Sequence, residues 1–137
     1  MNHLMMRAAM AGGLLLSVFS GAALAGGGLD GVWRTEHGWH VKLYKCGGSY
    51  CGNVVGGTTM KDIHNPKPAL RSRKVVGIRM IWGMRKSGSS YKGKLYNPKD
   101  GKVYSGYLKP LSANAVKLSG CILGGLICKG QTWKRIK

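Results

Sequence analysis

The chain has little negative charge: only four of its 137 residues are Asp or Glu, against 22 Lys and Arg. No two of these four acids, Asp30, Glu36, Asp62 and Asp100, stand where a facing pair of catalytic carboxylates is expected. No serine lies in a Gly-x-Ser-x-Gly elbow. We therefore predict a protein that is not an enzyme and assign no catalytic residue. The alternative is a hydrolase or isomerase in which Asp62 and His64 act as a base and its orienting group.

Cysteines are few, and none stands in a Cys-x2-Cys pair, so we expect no zinc site, no other metal and no cofactor. Four cysteines allow three pairings, which the sequence alone does not decide. Their spacing favours two local bridges, Cys46 with Cys51 and Cys121 with Cys128, each at the mouth of a candidate hairpin. Such bridges require an oxidising compartment.

The N-terminus has the features of a signal peptide over residues 1–25. Arg7 precedes an apolar stretch, and a small-x-small cleavage site follows at 23–25. The alternative is a retained membrane anchor, because 8–29 is long enough to span a bilayer, although its strongly apolar core is short. The absence of a cysteine after this site argues against a lipoprotein. We expect cleavage, a single β-barrel domain over 26–137, and a periplasmic or secreted protein.

Beyond the leader the chain lacks a helical period and shows short alternating runs separated by glycine-rich turns. The strand-like runs are 31–35, 39–44, 50–55, 76–82, 91–96, 102–108, 116–119 and 131–136. Eight short strands with tight turns predict an all-β, antiparallel up-and-down meander, and closure into a barrel removes its exposed edges. The one long connection, 56–73, is a candidate functional loop with a helical turn expected near 68–71.

Gly31 and Trp33 begin the first strand and predict how the barrel closes. Glycine allows a tight turn, and the tryptophan ring offers a large flat face to plug one end. The first and last strands of an up-and-down barrel are neighbours, so we expect Arg135 to stack on the Trp33 ring. Gly-x-Trp in the first strand with arginine in the last is similar to the signature of the calycins, the lipocalin-like barrels.

Longer segments resemble the exported bacterial family known as domain of unknown function 2147. They are CGGSYCG, DIHNPKPALRSRKVVGIRMI, YNPKDGKVYSG and GCILGGLICKGQTWKR, and the resemblance runs from Gly31 to Arg135. It implies a small lipocalin-like barrel and no established activity. Lys67 stands where the family normally has an acidic residue, and Lys74 where it tends to have proline. Both differences make the surface more basic and favour an anionic partner.

The leading functional hypothesis is an exported binding protein for a small apolar or amphipathic ligand with an acidic group. Arg71 and Arg73 on the long loop are expected to meet that group, because guanidinium pairs bidentately with carboxylate or phosphate. The alternative for Arg73 is that it fixes the loop by a buried hydrogen bond. The residues expected to line the barrel are Trp39, Val41, Val76, Ile78, Met80 and Trp82.

The second hypothesis is a basic module of the cell envelope with a filled core. The net charge of +18, to which Arg7 in the leader contributes one unit, attracts anions. After export these are anionic lipid or polysaccharide, with contact to a membrane surface, and no nucleic acid partner is expected. An outer surface of tyrosines and lysines around 91–107 is a candidate for this contact. The oligomeric state is not predicted.

Overall fold

The computed structural model describes residues 12–13 and 28–137. Apart from Gly12 and Gly13, the predicted signal peptide lies outside this part of the chain. None of the helices in the described residues is long and apolar enough to cross a membrane.

Residues 31–135 form a closed, all-antiparallel barrel in which each strand pairs with its neighbours in sequence. This confirms the predicted lipocalin-like architecture. The predicted helical turn is a short 3-10 segment at Pro68–Leu70. A second 3-10 segment lies at Leu123–Gly125. The strands are β1 (Gly31–Arg34), β2 (His40–Cys46), β3 (Ser49–Gly56), β4 (Arg79–Ser87), β5 (Ser90–Asn97), β6 (Lys102–Ser112), β7 (Ala115–Ile122) and β8 (Ile127–Arg135).

Strand β4 differs most from the sequence prediction. It begins at Arg79, and Val76 lies in the long β3–β4 connection with its side chain exposed. Asn53 pairs with Arg79 while the adjacent Gly52 pairs with Ile81, so Met80 is an extra, bulged residue. A bulge shifts the two-residue alternation of side chains. The predicted inward series through 78, 80 and 82 is therefore wrong after Met80.

The connections of the barrel divide between its two ends. Loops that follow odd-numbered strands meet at one end, here called the open end, and include the long β3–β4 connection. Loops that follow even-numbered strands meet at the other, closed end, where residues 28–30 enter the barrel. Buried side chains fill the closed end, and they include Leu29, Trp33, Leu43, Met84, Leu108 and Val116.

Arg135 closes the barrel against the first strand, as the sequence predicted. Its guanidinium carbon lies 4.3 Å from the centroid of the buried Trp33 ring. Its nitrogens donate hydrogen bonds to the backbone carbonyls of Ala113 (2.7 Å), Asp30 (2.5 Å) and Gly28 (3.0 Å). A Cβ on Gly31, whose φ is 137°, would stand 2.5 Å from an Arg135 nitrogen. Glycine is thus required where arginine seals this seam.

Two disulfides join the cysteines in the predicted local pairs. Cys46 bonds to Cys51 across the β2–β3 turn. Cys121 bonds to Cys128, and the two residues face each other in the β7–β8 ladder. Because thiols are usually kept reduced in the bacterial cytoplasm, both bridges indicate an extracytoplasmic location.

Candidate functional site

The open end contains a cleft of about 690 Å³. This volume lies within the range of small-molecule sites, roughly 300–1,000 Å³. The cleft is formed by the β1–β2 loop, the start of β4, the β5–β6 hairpin and strands β7 and β8. The barrel is therefore filled at its closed end and hollow at its open end.

Apolar side chains form the floor of the cleft. All five are at most 8% exposed, so most of each side chain is packed against the rest of the barrel. Aromatic and aliphatic walls of this kind bind the apolar body of a ligand through burial. The five residues are Trp39, Met80, Leu95, Leu118 and Trp133.

Gly120 lines the cleft and leaves space there because it has no side chain. A Cβ at this position would lie 3.5 Å from Leu95 and 3.6 Å from Tyr104, which is ordinary van der Waals contact. A Cβ at position 120 therefore fits without displacing Leu95 or Tyr104, and the space at Gly120 remains part of the cleft.

The rim of the cleft carries charges of both signs. Its carboxylates already have hydrogen-bond donors: Glu36 accepts from the backbone N–H of Thr132 at 3.1 Å, and Asp100 accepts from the hydroxyl of Tyr104. Lys99 and Lys129 line the same rim. In the described part of the chain the only ion pair joins Arg73 to Asp62, so neither of these two lysines is neutralised by a carboxylate.

Gln131 links the rim to the floor. Its side-chain oxygen accepts hydrogen bonds from the backbone N–H of Glu36 at 3.2 Å and from the indole N–H of Trp133 at 2.9 Å. Strands β1 and β8 share only two residue pairs, at Trp33 and Arg34. The bonds of Glu36 and Gln131 extend this short seam to the cleft and hold the β1–β2 loop in place.

Beside the cleft, Asp62 anchors the long β3–β4 connection. Its carboxylate is fully buried and accepts hydrogen bonds from the Tyr96 hydroxyl (2.5 Å), the Asn65 side-chain amide (2.8 Å) and Arg73 Nε (2.9 Å). Lys61 and Lys74 form a backbone bridge next to it. A polar network with every member bonded fixes the loop on the end of β5.

The hydrogen bonds set the ionisation of this network. Burial alone would raise the pKa of Asp62, but the donors from Tyr96, Asn65 and Arg73 outweigh it and hold the pKa below its usual value. Burial, with the hydrogen bond to the negative Asp62, raises the pKa of Tyr96 to about 12. Asp62 is thus a charged structural anchor and Tyr96 its neutral donor.

The predicted lining residues separate into three groups. Trp39 and Met80 line the cleft, as expected. Val41 and Ile78 are buried in the core and do not reach it. Trp82 pairs with Lys94 on the face opposite to Ile81, so the bulge at Met80 places it on the outer side of the sheet. Val76 is exposed in the loop, and neither it nor Trp82 faces the interior.

The loop arginines fix the loop, which is the alternative that the sequence left open for Arg73. Arg73 is committed to Asp62, and Arg71 donates through Nε to the backbone carbonyl of Asn65 at 2.8 Å, so both hold the loop and neither lines the cleft. His64 is exposed and forms no hydrogen bond with Asp62. Within the described residues no three His, Cys, Asp or Glu side chains converge as a metal site requires.

The tyrosines of 91–107 do not form one outer surface. Tyr96 is buried on Asp62, Tyr104 lines the cleft, and Tyr91 packs edge-on against Tyr50 with ring centroids 5.5 Å apart. Of these four, Tyr107 has a lysine over its ring, with Lys92 Nζ 5.8 Å from the ring centroid.

Sequence reasoning missed Leu95, Leu118, Trp133, Lys99 and Lys129 as lining residues. A signal for them was present, because in an up-and-down meander the loops after odd-numbered strands meet at one end. That rule places the NPKDG and GG turns beside the β1–β2 loop, and so brings Lys99 and Lys129 to the same mouth.

Comparison with known proteins agrees with this geometry. The model of a family described as "Uncharacterized protein conserved in bacteria (DUF2147)" matches residues 31–135. The chain belongs to this family. No curated protein matches it. Among solved structures, it is similar to protein HP1028 from Helicobacter pylori, which is described as belonging to the lipocalin family. The two share 28% identity and a TM-score of 0.71, over 80% of this chain and 83% of HP1028.

A DUF2147 barrel of lipocalin type suggests a ligand-binding protein and is typical of proteins that are not enzymes. The identity of the ligand does not follow from the fold, because function depends on the site that a fold carries. The cleft and its rim therefore carry the functional argument.

Proposed function

We propose that this protein binds a small amphipathic molecule in the cleft at the open end of its barrel. The observation that carries the proposal is a wall of five buried apolar side chains that opens to a charged rim. The wall takes the apolar body of the ligand, and the polar group stays at the rim.

The polar group is an acid in this proposal. Lys99 and Lys129 have no carboxylate partner among the described residues, whereas Glu36 and Asp100 already accept hydrogen bonds. The net charge of +18 also favours the approach of anions. The two lysines take the role that the sequence had suggested for Arg71 and Arg73.

The test uses three probes that share one alkyl chain: dodecanoate, dodecanol and dodecylammonium. Each is titrated into the protein, and the fluorescence of Trp39 and Trp133 in the wall reports occupancy. We expect dodecanoate to bind more tightly than dodecanol, and dodecanol more tightly than dodecylammonium. The preference should be small, about twofold to fivefold for each exposed lysine. Tightest binding of dodecylammonium would contradict an acidic ligand.

Two variants fill the cleft, and one control does not. Met80→Trp enlarges a floor residue, and Gly120→Val adds a side chain where the backbone tolerates one. Lys86→Trp adds the same bulk at an exposed position of β4 outside the cleft. We expect both cleft variants to weaken all three probes and the control to bind as the wild type. Equal binding in all proteins would refute the cleft as the site.

Salt separates the cleft from the outer surface. Burial of an alkyl chain persists at high ionic strength, whereas attraction to exposed lysines falls as the screening length shortens. Dodecanoate binding that disappears in about 1 M NaCl, where this length is about 3 Å, would favour the basic-exterior alternative.

The same proposal includes export with removal of residues 1–25. The oxidised cysteine pairs support it, since disulfides persist in the periplasm or outside the cell. The mass of protein recovered from the periplasm tests the cleavage. A mass that begins at Gly26 supports a signal peptide, and retention of the full N-terminus would favour the anchor.

A further inference from the structure

The tip of the β7–β8 hairpin has unusual chemistry for an exposed loop. The six residues between Cys121 and Cys128 are ILGGLI, without a single polar side chain. Exposure is 46% for Ile122, 66% for Leu123, 87% for Leu126 and 55% for Ile127. Contiguous apolar surface of this kind marks an interaction site in many soluble proteins.

The tip is a short turn with a cross-linked base. The Cys121–Cys128 disulfide clamps its base, and a 3-10 turn at Leu123–Gly125 forms its apex. Leu123 adopts a φ of 53°, which is rare for a bulky side chain. In this turn both leucine side chains are exposed, above the base that the disulfide cross-links.

Other exposed apolar side chains lie at the same end of the molecule. Among residues 28–137, eight of the ten large apolar residues that are exposed belong to the open end. The other two, Leu111 and Ile136, lie at the closed end. Besides the four residues of the tip, the open end exposes Val55, Ile63, Val76 and Val103.

Exposed lysines lie at the same open end of the barrel as this apolar surface. Carboxylates do not balance them, because Asp62 is buried against Arg73, and only Glu36 and Asp100 remain at this end. An end of the barrel that exposes both apolar side chains and cations matches the headgroup region of an anionic bilayer, which accommodates both. A polysaccharide would use the lysines and leave the leucines in water. The exposed lysines at this end are Lys61, Lys67, Lys74, Lys99, Lys102 and Lys129.

We propose that the open end of the barrel docks on an anionic lipid bilayer, with the Ile122–Ile127 tip inserted among the headgroups. The lysines supply the preference for anionic lipid, and the leucines supply the insertion. This contact is separate from the binding of a ligand in the cleft, although it would place the mouth of the cleft against the membrane.

The test is co-sedimentation of the disulfide-bonded protein recovered from the periplasm, whose mass shows the removal of residues 1–25, with vesicles of phosphatidylcholine, with and without phosphatidylglycerol. We expect binding that requires phosphatidylglycerol. The variant Leu123→Ser/Leu126→Ser should bind at least about tenfold more weakly. The matched control Leu111→Ser/Ile136→Ser makes similar changes at the closed end and should bind as the wild type. All variants share the N-terminal residues, so differences between them isolate the tip.

A fluorescent residue at the tip gives a local readout. Leu126→Trp should shift its emission to the blue on vesicles and be quenched by brominated lipid, whereas Leu111→Trp should show neither effect. Equal quenching at both positions, or vesicle binding that survives the serine changes, would overturn the proposal. So would a wild type that dimerises without vesicles when its serine variant is monomeric, since the tip would then be a contact between copies. The tip variant should still bind dodecanoate as the wild type does. Its loss of vesicle binding then bears on membrane docking alone and not on ligand binding in the cleft.

Discussion

Replacing the buried carboxylate with an amide, Asp62→Asn, tests how the long loop is held. Asparagine keeps the shape and one acceptor oxygen, so the bond from Tyr96 can persist. The other oxygen becomes an NH₂ group that faces the donors of Asn65 and Arg73, 2.8 and 2.9 Å away in the wild type. Each lost hydrogen bond to a charged group is worth about 1.5–3 kcal/mol.

Part of that loss is recovered by solvent. The Arg73 side chain is 40% exposed and gains water when its bond breaks, whereas Asn65 is buried. We therefore expect the free energy of unfolding to fall by about 2–3 kcal/mol. For a domain of this size the melting temperature should fall by about 10 °C.

The measurement is urea unfolding with the disulfides intact, followed by tryptophan fluorescence. Asp100→Asn is the matched control, because Asp100 is an exposed carboxylate bonded to Tyr104. It should change the free energy of unfolding by less than about 1 kcal/mol. A loss at Asp62 no larger than the loss at Asp100 would refute the anchoring role.

The pH dependence gives a second check. The folded pKa of Asp62 lies below its usual value of 3.8, so the unfolded chain binds more protons as the pH falls past 4. The stabilisation by Asp62 is complete above this range and is lost as the pH falls through the folded pKa. The difference between wild type and Asp62→Asn should be full at neutral pH and shrink in acid. A constant difference would contradict the assignment.

Three further changes test the rest of the framework. In the wild type the pKa of Tyr96 is about 12 in the folded chain against 10 in the unfolded chain. This difference contributes about 3 kcal/mol to the free energy of unfolding below pH 10, and the contribution is lost as the pH rises through 12. Tyr96→Phe should remove this alkaline loss of stability. Urea midpoints between neutral pH and pH 12 measure this, and a parallel fall in both proteins would speak against it. Arg135→Lys keeps the charge but cannot reproduce the three hydrogen bonds to backbone carbonyls and the stacking on Trp33. The free energy of unfolding should therefore fall by at least about 2 kcal/mol. A thermal melt within experimental error of the wild type would disprove that role. Cys121→Ser/Cys128→Ser should lower stability by about 2 kcal/mol through the unfolded chain while the barrel remains, and a change in the far-ultraviolet circular dichroism of the native state would contradict this.

The sequence predicted the parts of the fold that depend on local rules. Alternation placed Trp39 and Val41 inside, and the Gly31–Trp33–Arg135 set located the closing seam. The bulge at Met80 could not be predicted, because it depends on how β3 and β4 pair and not on the β4 sequence. Trp82 was assigned to the interior for that reason.

The site was harder to predict than the fold. Trp39 and Met80 were found by alternation, whereas the sequence left Arg73 between a ligand contact and a hydrogen bond that fixes the loop. In the structure Arg73 bonds to Asp62, which also accepts from Tyr96, 34 residues further along, and no spacing in the sequence shows this arrangement. Long-range polar networks of this kind are set by tertiary contacts.

The pairing of the strands has a consequence for the order of folding. Seven of the eight strand contacts join neighbours in sequence and form hairpins or the single long β3–β4 turn, whereas the β1–β8 contact joins the first strand to the last. Closing so long a loop costs more chain entropy than forming a hairpin. The β1–β8 ladder offsets this cost with two residue pairs, and the contacts of Arg135 and Gln131 with the first strand and its flanks add to them. We therefore expect the meander to assemble first as an open, curved sheet, and the seam at Trp33 and Arg135 to form last and reopen first.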